Sequence, residues 1–169
     1  MKELLEKLTS YNIFNCLLPG IVFAVLATKL TRYSFIQSDI AMGVFVYYFI
    51  GLVISRLGSL ILEPFLKGIK FVRFAKYEEF LSAKEKDSTL DTLSETNNSY
   101  RTFCAVFSSL LLLSGYEKLE AKMTFLSHRG SFIIVVLLFV MFLFAYRKQT
   151  AYIVKRVARQ SERGKATSA

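Results

Sequence analysis

Hydrophobic positions gather into four runs, Ile13 to Leu30, Ile40 to Leu62, Thr102 to Tyr116 and Ser131 to Tyr146, each flanked by charge. A helix needs about 20 residues to cross a hydrocarbon core about 30 Å thick. The first two runs reach that length. The last two hold 15 and 16 residues, which cover only about 23 Å at the helical rise. Tyr100, Tyr116 and Tyr146, with the snorkelling side chains of Arg101, Arg147 and Lys148, extend them toward headgroups. A buried helical hairpin in a soluble domain is the competing account of these two runs. Against it, Phe132 to Phe144 is apolar all round and has no polar face to offer water. The pattern predicts an all-α membrane protein with about four transmembrane helices, at 11–30, 40–62, 100–116 and 131–147. These form one domain, 1–169, with cytoplasmic helical segments at 63–99 and 148–165.

Local signals refine the elements. Leu17-Leu-Pro-Gly20 should bend the first helix, because proline removes a backbone donor. Ser38 or Asp39 can cap the second, making helices one and two an antiparallel hairpin. Ser88 and Asp91 form a capping-box pattern that starts a helix near residue 89. That helix meets no Pro or Gly before Gly115, so it runs directly into the third span. Between these elements, Phe65 to Tyr77 mixes rings with Lys and Arg as a membrane-surface segment does. Met1 to Leu8 reads as an amphipathic helix of mixed charge, which argues against a cleaved signal peptide.

Charge then sets an orientation. Lys and Arg number sixteen in the N-terminal stretch, the 63–101 segment and the tail, against five in the other two connections. The positive-inside rule puts both termini and the central segment in the cytoplasm, here of a bacterial inner membrane. The net charge of +9 reads first as attraction to anionic lipid headgroups, and nucleic acid is a secondary possibility. Cys16 and Cys104 lie inside apolar runs with no metal-ligand spacing, and are expected to be reduced core residues.

Candidate chemistry is sparse. His128 is the one histidine, read as a loop residue, and no nucleophile, Gly-rich phosphate loop or zinc ligand set is spaced for catalysis. The expectation is a non-enzymatic protein with no cofactor and no metal. Gly51, Ser55 and Ser59 recur every four residues, with Gly58 beside them, and would let another helix approach closely, within the chain or between subunits. Arg56 is the one charge inside a span, which costs about 2.5–3.5 kcal/mol at a helix centre. Glu63, seven residues on, shares its helical face and is the expected partner; a pore lining or a subunit contact is the sharper alternative. Lys67, Lys70 and Arg73, and on the tail Lys155, Arg156 and Arg159, are candidate lipid- or partner-binding residues. The polar stretch Asp87 to Arg101 is a further candidate for partner docking or self-assembly.

In size, helical runs, basic segments and the lack of a catalytic set, the whole chain resembles the small multi-pass membrane effectors and accessories of bacterial anti-phage systems, including CRISPR-associated ones. One accessory family there carries an Arg-x4-His motif, from which this chain departs, since Met123 stands five positions before His128. The resemblance implies a homo-oligomeric pore-forming or membrane-perturbing effector. A membrane anchor or sensor that recruits a soluble cytoplasmic partner is the alternative.

Overall fold

The computed structural model describes residues 13–122 and 124–167, and among these it contains helices and no strand. The amphipathic start expected at Met1 to Leu8 lies outside the described residues. A π-helical turn, Ile13–Leu17, leads into α1, Leu18–Leu30. Helix α2, Ile40–Leu57, passes through a second π-helical turn, Gly58–Leu62, into α3, Glu63–Gly68. The remaining helices are α4, Tyr77–Lys84, α5, Thr89–Glu120, and α6, Thr124–Thr167. The chain divides into two units, Met1–Arg129 and Gly130–Ala169.

The all-α expectation holds, and the four spans are corrected to two. Ile40–Gly68, 29 residues, and Arg129–Ser161, 33 residues, are long and apolar enough to cross a membrane. Asn15–Leu30 is apolar but shorter. The Thr102 to Tyr116 run sits inside a 32-residue helix with Ser99, Tyr100 and Arg101 below it and Glu117 and Lys118 above. Any window of membrane-crossing length therefore takes in polar residues. The expected loop around His128 is also corrected, because α6 already begins at Thr124. No proline intervenes there, and one glycine, Gly130, is tolerated inside a helix.

The first unit is built on close approach of helices. Gly20 and Gly51 face one another across α1 and α2; a Cβ on Gly20 would overlap the Tyr47 carbonyl, and one on Gly51 the Cys16 carbonyl. The two backbones thus touch where neither carries a side chain, the arrangement that small residues permit. Helix α5 completes the core, with Phe23, Ala27 and Ile54 packed on Ala105, Val106 and Leu110. Phe35, from the 31–39 connection, closes it with its ring 5.7 Å from that of Phe23. Outside this seam many large apolar side chains lie at the surface, Ile40 84% and Leu111 76% exposed among them.

The helix ends obey their capping chemistry, with one reassignment. Asp39 Oδ1 accepts from Met42 N at 2.7 Å, capping α2 as expected. Helix α5 begins at the anticipated place, yet Ser88 makes no side-chain cap. Asp87 does so instead, its Oδ1 accepting from Thr89 N at 2.9 Å and Thr89 Oγ1 at 2.6 Å. These bonds hold the Asp87 carboxyl below the usual carboxylate range. Ser88 has helical backbone angles, and a side chain already inside the helical turn cannot reach back to its free amides.

Candidate functional site

The two π-helical turns lie at the same end of the first unit, and a polar layer forms between them and α5. Asn15, in the first π turn, is 4% exposed, and Ser99 Oγ donates to its Oδ1 at 3.2 Å. Thr102, fully buried, donates to the Asn98 carbonyl at 2.9 Å and lies 3.5 Å from Ser55 Oγ. Glu63, 8% exposed, holds the Arg101 guanidinium at 2.8 Å on one oxygen and the Lys67 ammonium at 2.8 Å on the other. Polar side chains are satisfied here by one another, as burial requires. The exception is Arg101 Nε, buried without a hydrogen-bond partner among the described residues.

Glu63 pairs with Arg101 and Lys67, not with the expected Arg56, and the intervening π turn explains the change. In a regular α-helix residues seven apart lie within about 20° of one face. A π turn closes hydrogen bonds to the fifth residue and so takes up one more residue, rotating the helix beyond it by about 100°. Gly58–Leu62 is inserted between Arg56 and Glu63. Glu63 turns inward to α5, and Arg56 stays exposed. Among the described residues no carboxylate forms an ion pair with Arg56.

The small-residue stripe is taken up within the chain. Gly51 meets the backbone at Cys16, and Ser55 meets Thr102. Gly58, buried, faces α5, where an added Cβ would lie 3.2 Å from Ala105 Cβ. Ser59 lies within the second π turn and is half-buried. Cys16 is buried, whereas Cys104 is exposed on α5, contrary to its expected core position, because the inward face there is occupied by Thr102, Ala105 and Val106.

Beyond Glu63 the chain stops its helix sharply. Phe71 N donates to the Leu66 carbonyl at 2.9 Å and Lys70 N to that of Lys67 at 3.0 Å, around Lys70 at φ 61°. This is a Schellman closure with lysine where glycine is the common residue. The turn leaves Lys70 and Arg73 exposed, with Phe71 77% and Phe74 50% exposed beside them. The Lys67 ammonium also stacks 4.1 Å from the Phe74 ring centroid. On α6, Lys155 and Arg156 are exposed and Arg159 is half-buried.

The opposite end of the first unit carries a second clamp. Arg32 and the Tyr33 hydroxyl both bind Glu120, the Arg32 amide donates to Glu117 Oε1 at 3.1 Å, and the Tyr33 ring lies 6.3 Å from that of Tyr116. Bonds from Tyr33, then from Arg32, hold the Glu120 carboxyl below the usual carboxylate range. Desolvation and the bond to Glu120 push the Tyr33 hydroxyl up.

Asn15, Ser99, Arg101 and Thr102 enter the site without having been assigned to it from sequence. Their signal was present, since Asn98 to Arg101 places three polar residues and one ring immediately before an apolar run that itself opens on Thr102. Chemically, a carboxylate held between two cations is an electrostatic joint between helices. Among the described residues no three His, Cys, Asp or Glu side chains gather into a metal cradle. No protein-family model matches this chain, and comparison with curated proteins and with solved structures gives no match.

Proposed function

We propose that this chain is a non-enzymatic, homo-oligomeric inner-membrane protein that forms a pore or perturbs the bilayer. The observation that carries the reading is Arg56: an exposed guanidinium on a helix of membrane-crossing length, turned away from the nearest carboxylate along its own helix by a π turn. An intramembrane Arg is costly unless it meets water, a counter-charge or a polar lumen. A neighbouring subunit or a lumen between subunits supplies such a partner. Small polytopic proteins of this length enclose little space alone, so assembly is the route to a polar path. In this reading the two longer helices lie in the bilayer, with the Glu63–Arg101 joint at the cytoplasmic face. The resemblance to anti-phage membrane effectors supplies the setting, in which activation would end in loss of membrane integrity.

The test is the mass of the particle in nanodiscs, corrected for lipid, and then dye leakage from liposomes with the same preparation. A closed ring with leakage, reduced at least tenfold by Arg56→Leu without loss of the ring, is the expected outcome. A monomer would overturn the pore.

A second reading, a membrane anchor for a soluble partner, is favoured by the exposed Lys155 and Arg156 on the long α6. It predicts partner release on reversing those charges, with no leakage at any stage.

A further inference from the structure

Past Arg147 the last helix carries apolar side chains beyond the reach of lipid tails. Helix α6 is unbroken from Thr124 to Thr167, with no Pro or Gly between 131 and 163. In the membrane reading above its apolar stretch ends at Tyr146, so residues 147–161 continue the same axis for about 22 Å beyond the bilayer core. A helix standing on its own span lies flat among headgroups only if it kinks, and a kink needs Pro, Gly or a π bulge. Yet Tyr146 is 75% exposed, Ile153 55% and Val157 63%.

These residues are spaced as a coiled-coil seam. Steps of four and three lead from Tyr146 through Thr150 and Ile153 to Val157. The same steps run back through Leu143, Phe139 and Val136 to Phe132, all of them exposed. The whole spans just under four heptads, and a sustained 3.5-residue period is what two helices winding round one another require. Inside the bilayer every face of α6 is apolar, so the choice of face shows only beyond Tyr146. There Lys148, Lys155 and Arg159 fall on the side opposite the seam. Thr150 Oγ1 donates to the Tyr146 carbonyl at 3.0 Å, which spends the one hydroxyl proton in the middle of the seam.

A second copy fits this face. Copies inserted in the same direction hold their α6 helices parallel and in register, so each seam residue meets its own counterpart. The flanking positions that then meet are Phe142 with Arg147, Gln149 with Val154 and Arg156 with Ser161, and no cation opposes a cation. The rings of Phe132, Phe139 and Tyr146, about two-thirds exposed, offer about 400 Å² on each chain, half of the roughly 800 Å² that a stable interface takes from each partner. The aliphatic seam residues between them supply much of the rest. Inside the bilayer the contact gains packing, and beyond Tyr146 it also removes apolar surface from water. Resting on the oligomeric reading above, we infer that α6 pairs with α6 of a second copy, parallel and in register, through the seam from Phe132 to Val157. A larger ring is then a ring of such pairs.

The experiment uses the full chain in membranes, in a Cys104→Ala background, since Cys16 is buried. On mild oxidation Ile153→Cys should form disulfide-linked pairs about tenfold more readily than Lys155→Cys, whose Cα atoms stand beyond disulfide reach in the pair. The double variant Ile153→Asp, Val157→Asp should lower the mass of the nanodisc particle; if circular dichroism shows that it does not fold, the two cysteine variants decide. Equal cross-linking at the two positions, no cross-linking at Ile153→Cys, or an undiminished mass in the double variant would overturn the inference. A soluble partner covering the seam would also leave Ile153→Cys unpaired with itself and overturn it. An assembled particle without the Ile153→Cys cross-link sinks this inference and leaves the oligomer standing. A cross-linked particle that leaks no dye supports the seam and sinks the pore, and a monomer sinks both.

Discussion

At the level of single residues, what an atom touches matters more here than what type it is. Gly51 and Gly115 are both helical glycines, yet an added methyl at Gly51 would strike the Cys16 carbonyl and one at Gly115 would meet nothing within 4 Å. Gly51→Ala must therefore push α2 away from the first π turn, an overpacking cost of about 1–3 kcal/mol or more. Gly115→Ala should stabilise by about 0.5–1 kcal/mol through helix propensity alone. Thermal unfolding in one detergent would show opposite shifts in Tm. Equal shifts would mean the close crossing is not present in solution. The stripe containing Gly51 was visible in the sequence because four-residue spacing is a local property. Which helix it faced was not, since periodicity names a face and leaves its neighbour open. Asp87 taking the cap expected of Ser88 has the same origin, for both are good capping types and only backbone angles decide between them.

Among the elements, the second π turn decides the electrostatics. Deleting Ile61 would restore regular α-helical spacing, swing Glu63 back by about 100°, and separate it from Arg101. A double-mutant cycle with Glu63→Gln and Arg101→Gln should give a coupling of about 1–3 kcal/mol in the intact chain. In the Ile61 deletion the coupling should vanish, while an unchanged value would show that the pair does not depend on the turn. Helix limits were largely legible, with α2 beginning after Asp39 and α5 after Ser88. The π turns were not, because a single extra residue in one turn leaves composition and hydrophobic run length unaltered. Spacing arithmetic across Gly58–Leu62 consequently gave Glu63 the wrong partner.

Across the molecule, the first unit is held at one end by Glu63 with Arg101 and at the other by Glu120 with Tyr33 and Arg32. The second clamp gives a pH prediction. Glu120 has its carboxyl lowered in the fold, so its contribution is present above the ordinary carboxylate range and is lost as pH falls through the lowered value. Tyr33 is raised, so its contribution is present below the ordinary phenol range and is lost as pH rises through the raised value. Glu117 and Tyr116 also face this loop, Glu117 through the Arg32 amide and Tyr116 through its ring against Tyr33. Hydrogen exchange across residues 31–39, normalised for its intrinsic pH dependence, should therefore be slowest at neutral pH and faster at both extremes. Flat protection would show that the clamp does not hold the loop. The helical class, the apolar runs and most helix starts were already written in the order of residues, because side-chain periodicity, caps and composition act within a few positions. That two helices, not four, reach membrane-crossing length with sufficient apolarity emerged from the folded chain alone, since helix limits set how much polar chain each run carries with it. The partners of Gly51, Arg56 and Glu63 emerged there too, because a partner is chosen by how helices distant in sequence pack and by the register that two π turns impose.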